Sequence, residues 1–458
     1  MKHPIAISLF FFVSFFLFLH PIDSGDFFHH IITGRFIVEH GSLPSTDTFT
    51  FSAYGKPWVA HSWGSGLLYY LTYLVGGVRG VNILLAAIGA ATVGVLFLLA
   101  KKYTQLSGLI LSFLSLTGIL LSLYWPSRPM VWAPLFLSVL LLFLTSSKRF
   151  FYLIPVLFFL WSILYGASSL LGLVIFGLFL LSLKERWTKK NILVFTSAVA
   201  ASCLNGYGIQ SLFYGVSGSA YLQSQDWFPL HAVLGQQLLP NVSDRILGYG
   251  IWVTLIIILL FYLFSSHRHF FKSHVFESLL LVGILAPFFS FRYIPLVPIL
   301  SLPFLFLSFQ LLPKKMTHVM LWSTTALCVI FLMFRFSHFP TGLGILNEKS
   351  LSDITTFMRQ HRIFGNVYTS QDLGAYVTWT MPESKVFYDT RDDLFVDTSV
   401  VKDLDTVNNG TMQITKLLDK YQATIVIGRP HLTYRPLTQS PAWKIVYFKD
   451  NYFIAIRR

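Results

Sequence analysis

Asp26, His29, His30 and Thr33 stand at i, i+3, i+4 and i+7, the spacing that brings four side chains to one face of a helix. A carboxylate beside imidazoles, partly withdrawn from water, can take a proton from a hydroxyl, because desolvation raises its pKa toward the working range of a general base. A plainer reading carries equal weight: Asp23, Ser24 or Asp26 caps the helix and does no chemistry.

Downstream, Leu43 to Phe51 leads to Lys56, Pro57, Trp58, His61 and Trp63. Taken alone this is a turn with Asp47 as an Asx or cap residue, followed by aromatic anchors. Arg128 and Arg292 follow apolar runs, where the plain fate of a guanidinium is to snorkel to the headgroups. Asp226 and Trp227 stand in a long loop that could cover a cavity, or Asp226 caps a surface helix. Asp389, Arg391, Asp392 and Asp393 crowd one loop, where an ion-pair network is the first reading and a ligand contact the second. His267, His269 and His274 share their segment with Arg268 and Lys272, which favours a cationic turn over a metal site.

The elements that must position these residues are apolar. With 54% apolar and 12% charged residues against roughly 25% charged in soluble domains, the 458-residue chain reads as a polytopic membrane protein. Its net charge of +14 lies largely in loops between spans, so it serves as a topological signal and nucleic-acid binding is excluded. Cys203 and Cys328 sit inside apolar runs and support neither a disulfide framework nor a thiolate metal site. The run Pro4 to Leu19 lacks a small-x-small cleavage site after it and is expected to be an uncleaved first span. Ten further runs near 78–100, 105–124, 130–146, 150–165, 167–183, 191–207, 247–264, 275–290, 294–312 and 316–335 bring the expected count to eleven helices.

The stretch Trp63 to Val75 decides the topology. Its tyrosines and tryptophan suit a headgroup layer, and laying it along the interface puts Lys2, Lys101–Lys102, Lys148–Arg149, Lys184–Lys190, Arg268–Lys272 and Lys314–Lys315 all on the cytoplasmic side. Residues 1–336 then form the transmembrane domain, with a first extracytoplasmic loop at 23–77. Residues 337–458, where charge returns and apolar runs shorten, form an extracytoplasmic α/β domain. Its expected elements are helices at 351–362, 372–380 and 411–420, strands at 366–368, 385–388 and 424–428, and a terminal hairpin of 443–448 with 452–457.

The run from Asp26 to Trp63 resembles the first extracytoplasmic loop of bacterial membrane proteins of the GT-C glycosyltransferase superfamily, the protein mannosyltransferase and RgtA/B/C/D-like group. Further likenesses are Ser127-Arg128-Pro129, Leu204-Asn205-Gly206-Tyr207-Gly208, Asp226-Trp227-Phe228-Pro229, Phe291-Arg292-Tyr293-Ile294-Pro295, Leu373-Gly374-Ala375-Tyr376 and Asp389-Thr390-Arg391-Asp392. The resemblance implies a cytoplasmic-membrane enzyme of the cell envelope. Such an enzyme moves a sugar with inversion from a polyprenyl-phosphate carrier to a glycan, lipid or protein acceptor at the outer face. It implies Asp26 as the acid–base residue, and His29, His30, Lys56, Arg128 and Arg292 at the donor phosphate or substrate. Asp47, His61, Tyr165, Asp226 and Trp227 are then candidates for the acceptor or the cavity.

This sequence departs from the pattern in having Gly66 where relatives carry an acid, and Leu164-Tyr165 where they carry Asn-His. Arg128 stands where metal-dependent members bring a second carboxylate, so no metal or other cofactor is expected. The competing classes are a transporter or flippase of lipid-linked glycans and a noncatalytic member of the same fold. The spans carry almost no internal ionisable groups and show no inverted repeat, which weighs against transport.

Overall fold

The computed structural model describes residues 4–103, 108–146, 148–181, 188–219, 230, 233, 240–266, 274–395, 398–430 and 433–458. The chain forms two compact units, one of Met1–His20 with Asn82–Leu343 and one of Pro21–Val81 with Gly344–Arg458. The first loop, grouped by sequence with the membrane spans, thus folds together with the carboxyl-terminal residues.

The first unit is helical. Among the described residues of the whole chain, three helices are long and apolar enough to cross a membrane: Trp63–Tyr103, Arg149–Leu181 and Lys314–His338. Shorter apolar helices such as Gly108–Ser122 and Leu296–Leu311 accompany them. Large apolar side chains lie on the outside, Phe289 at 79% exposure and Trp322 at 70%, and a surface of this kind is suited to hydrocarbon rather than water. The unit belongs to a membrane protein.

The Ile154–Leu181 helix is broken at Tyr165, where φ is −154° and ψ 73°. The rings of Phe158 and Phe176 stack with centroids 6.5 Å apart, whereas a continuous helix would separate them by about 27 Å. The chain therefore doubles back at Tyr165, and the Trp161 indole donates to Ser168 Oγ at 2.8 Å across the turn. The two arms are the apolar runs that the sequence separates at the same place. Arg335 is 1% exposed and donates to the carbonyls of Leu17 and Phe339 at 3.1 Å, tying the Pro4–Leu17 helix to Lys314–His338.

The second unit holds a five-stranded sheet in the order β2-β1-β3-β5-β4, with β1 Asn366–Tyr368, β2 Lys385–Val386, β3 Ile425–Gly428, β4 Trp443–Lys449 and β5 Tyr452–Arg457. β1 runs parallel to both β2 and β3, and β5 is antiparallel to β3 and β4. The β4–β5 hairpin closes on Asp450 and Asn451 with φ of 49° and 61°, the left-handed pair that a two-residue turn requires. Burial of Val367, Val426, Ile427, Ile454 and Ala455 builds the core around the middle strands. The β2 edge is covered by the first loop: Phe51 N–H donates to the Val386 carbonyl at 3.0 Å and Val386 N–H to that of Phe49 at 3.3 Å.

Two helices of the first loop complete the unit. Gly25–His40 packs against the start of Trp63–Tyr103 so closely that a Cβ on Gly66 would lie 2.4 Å from the His30 carbonyl oxygen. This is the physical reason for glycine where an acid was expected from the resemblance. The longer helix breaks at Gly77, whose φ of 59° and ψ of −159° only glycine adopts readily. The chain then turns back so far that a Cβ on Gly80 would lie 3.2 Å from the Thr72 carbonyl oxygen. Trp63–Gly76 and the run after Gly77 are separate segments, as the sequence divides them.

Candidate functional site

In the loop unit, Asp26 stands in the first turn of the Gly25–His40 helix and is half-buried. Ser24 occupies the N-cap without a side-chain capping bond, so the cap reading is not met by that residue. One turn on, the His29 and His30 rings lie 3.9 Å apart, and His61 meets His30 edge-on at 6.5 Å. His29 Nδ1 and Thr390 Oγ1 share a hydrogen bond of 2.7 Å, which brings the carboxyl-terminal segment onto this face. Thr33 turns its hydroxyl back to the His29 carbonyl at 2.8 Å. Asp26, His29 and His30 thus share one helix face, as the spacing predicts, and His61 is added to it by its contact with His30.

Asp392 joins them, a neighbour that sequence reasoning assigned elsewhere. Rather than pairing with Arg391, it accepts from Tyr388 Oη at 2.7 Å and from Gln371 Nε2. Burial pushes its carboxyl above the usual carboxylate range; the bonds from Tyr388 and Gln371 oppose this, and the charges of Asp26 and Asp389 reinforce it. The Tyr388 phenol is held well above its ordinary value, chiefly by burial and then by the charge of Asp392. Only the parallel β1–β2 pairing brings Gln371 to Tyr388, so local spacing held no signal for this cluster.

The raised Asp392 carboxyl sets a pH dependence. Since its folded pKa exceeds its unfolded one, its ionisation costs stability as pH rises through and above the carboxylate range, and costs nothing at pH values below both. Asp392→Asn keeps an acceptor for Tyr388 and removes the charge. Its melting temperature should exceed wild type at pH 7 and converge with it at about pH 3 and below; a variant less stable at pH 7 would show that the charge is needed.

Other first-loop residues are placed as scaffold. Asp47 is fully buried: its carboxylate accepts from Phe49 N–H and Thr50 N–H at 3.1 Å, from Thr50 Oγ1 at 2.5 Å and from Arg391 Nη2 at 2.7 Å. Arg391 also binds Asp389 at 2.6 Å and lies over the rings of Trp58 and Phe49, at 4.6 and 5.2 Å. The Asx turn and the ion-pair network read from sequence are therefore one structure, and Asp47 is closed to an acceptor. Lys56 is likewise engaged, donating to the Leu394 carbonyl at 2.9 Å.

In the membrane unit, Arg128 caps the short 3-10 turn Pro129–Val131, and Arg292 lies within another, Phe291–Tyr293. Met130, Phe291, Ile294 and Tyr124 from the two turns and their flanks pack in one apolar cluster, against which Tyr165 leans. A narrow cleft of about 40 Å³ opens there, lined by Tyr124, Trp125, Tyr165, Arg292 and Tyr293 among others. Tyr165 reaches it because the chain reverses at that residue. Asn205, from another matched element, serves its own turn, accepting from Tyr207 N–H at 2.9 Å and donating to the carbonyls of Ser202 and Gly208. Asp226 and Trp227 lie outside the described residues, as do His267 and His269. No group of three or more His, Cys, Asp or Glu side chains suited to a metal occurs among the described residues.

The chain has the fold of GT-C-like membrane glycosyltransferases. The archaeal oligosaccharyltransferase AglB from Archaeoglobus fulgidus, solved with an inhibitory peptide and a dolichol-phosphate, matches with a TM-score of 0.58 at 11% identity over 93% of this chain and 69% of that one. A second structure of the Archaeoglobus fulgidus oligosaccharyltransferase, tethered to an acceptor peptide with an NVT sequon, gives 0.60 at 11% identity with the same coverage. The mycobacterial arabinofuranosyltransferase AftD gives 0.55 at 14% identity, over 99% of this chain and 41% of that one. No protein-family profile and no curated protein matches the sequence.

Proposed function

We propose that the protein is an integral-membrane glycosyltransferase that moves a sugar from a polyprenyl-phosphate carrier to an acceptor at the extracytoplasmic face of a bacterial cytoplasmic membrane. Eleven crossings with the carboxyl-terminal domain outside accord with the distribution of Lys and Arg. The observation that carries the reading is the aromatic cleft bearing Arg292, formed where the Arg128 and Arg292 turns converge in a chain of this fold. Dolichol-phosphate, present in one AglB structure, has the same chemistry as the proposed carrier: an isoprenoid chain ending in phosphate.

As the glycosidic bond breaks, negative charge grows on the leaving phosphate. Arg292 and Arg128 are assigned to stabilise it, since a guanidinium fork matches phosphate oxygens. Tyr124, Tyr165 and Tyr293 offer apolar rings to the isoprene chain and hydroxyls to the headgroup. Asp26 is assigned as the base that takes the proton of the acceptor hydroxyl, with the His29–His30 pair beside it to orient the acceptor or share the proton. The reaction is proposed to need no divalent metal.

Because the cleft is narrow, a carrier must part the rings to enter, and labelling reads this directly. A benzophenone-bearing polyprenyl phosphate should crosslink to the segments around Tyr124, Tyr165 and Tyr293 on irradiation. Arg292→Ala should weaken that labelling by about tenfold or more, the usual loss of one charge-assisted phosphate contact. Labelling confined to other helices, or untouched by Arg292→Ala, would remove the donor assignment.

A further inference from the structure

The sheet has a topological switch point. From β1 the chain passes through the Gln371–Thr380 helix to β2 on one side, and from β2 it returns to β3 on the other side of β1. In open α/β sheets the carboxyl ends of two such strands part and leave a crevice. A cavity of about 540 Å³ occupies that place, lined by Tyr368 and Thr369 at the end of β1 and by Ile427 and Gly428 at the end of β3. Small-molecule sites commonly measure about 300–1,000 Å³.

The lining is polar where a ligand would touch it. Thr369 lines the cavity at 5% exposure, and its Oγ1 is buried without a hydrogen-bond partner. A buried hydroxyl in that state costs about 1–3 kcal/mol unless a ligand or water satisfies it. Ser370 beside it is the N-cap of the Gln371–Thr380 helix and makes no side-chain capping bond. Asp372 and Asp23 bring two carboxylates, and Arg429 stands at the rim, donating to Tyr452 Oη at 2.9 Å. Burial holds the Tyr368 phenol at about 12, so it meets the cavity neutral.

This chemistry discriminates between ligand classes. Two carboxylates against a single arginine disfavour a phosphate or another multivalent anion. β1 is paired with β2 and β3, and β3 with β1 and β5, so neither strand at the cavity has an open edge for an extended peptide to join. Carboxylates and hydroxyls that accept from and donate to neutral hydroxyl groups, beside the rings of Tyr376, Phe28 and Tyr452, fit a sugar with its polar edge and apolar C–H face. We propose that the switch-point cavity of the carboxyl-terminal sheet is a binding site for a short neutral saccharide, seated on Thr369, Asp23 and Asp372. The site does not depend on what the membrane unit transfers.

The full chain in lipid nanodiscs, free of sugar-headed detergent, should give saturation-transfer NMR signals with at least one of mannotriose, galactotriose and cellotriose at millimolar concentration. Thr369→Val keeps the shape and removes the hydroxyl; it should weaken binding about threefold to tenfold without lowering the melting temperature, and Thr369→Ser should restore it. Asp23→Asn should weaken it by about tenfold or more, since a bond to a charged acceptor is lost. Absence of signal with all three sugars, wild-type affinity in Thr369→Val, or binding of an extended peptide pool where sugars fail would each overturn the proposal. Sugar binding in a protein without transfer activity would sustain it.

Discussion

Asp26→Asn should reduce sugar transfer from a polyprenyl-phosphate donor by about 10²–10⁴-fold, the usual contribution of a positioned general base. Asparagine matches aspartate in size but cannot accept the proton that the acceptor hydroxyl must lose as it attacks. The residue sits on a rigid helix whose neighbours His30 and Thr33 are buried, so the exchange should leave the melting temperature within about 1 °C of wild type, in line with a substitution that changes no packing. Transfer by the wild type should persist in EDTA. The distinguishing readout is kcat against donor labelling: loss of turnover with carrier crosslinking intact marks Asp26 as the base. Undiminished turnover in Asp26→Asn would instead favour a noncatalytic member of this fold, or a base elsewhere.

Arg391→Met should be the most destabilising single change in the loop unit. It leaves Asp47 and Asp389 facing each other, at 0% and 2% exposure, with no countercharge between them. Breaking a buried ion pair from one side costs about 3–5 kcal/mol, far more than the pair adds over an apolar replacement, because the remaining charge stays desolvated. Two consequences separate this mechanism from lost packing. Acid should rescue the variant, since protonated carboxyls no longer repel. The triple change Arg391→Met, Asp47→Asn, Asp389→Asn should recover most of the stability at pH 7. Thermal melts at pH 5 and pH 7 measure both. A variant equally unstable at the two values, unrelieved by the triple change, would locate the loss in the stacking of the guanidinium on Trp58 and Phe49 instead.

Local patterns disclosed what is local. The alternation and turn residues of 443–457 give the terminal hairpin nearly to the residue, and the i, i+3, i+4, i+7 spacing gives the face of Asp26, His29 and His30. Apolar runs mark helices, and the breaks at Gly77 and Tyr165 fall where the runs were divided. What composition and period could not disclose were pairings across hundreds of residues. Asp47 with Arg391, Thr390 with His29 and Gln371 with Tyr388 and Asp392 depend on which strands lie side by side, and no 3.6- or 2-residue repeat records that. Gly66 was conspicuous as a missing acid, yet its cause is steric and visible only once two backbones touch.

The loop unit is assembled from residues 21–81 and 344–458, with all of the membrane portion but its first twenty residues between them. During synthesis the early piece must therefore wait, its Asp47 without its arginine and the β2 edge it will cover not yet made, until the last quarter of the polypeptide emerges. At about 5–20 residues per second that interval is tens of seconds. A ribosome that stalls or stops before residue 344 leaves an orphaned fragment with a buried-type carboxylate and bare aromatic rings in the open. Such a fragment is a natural target for quality-control proteases, so intact copies and complete translation are coupled by the order of the gene itself.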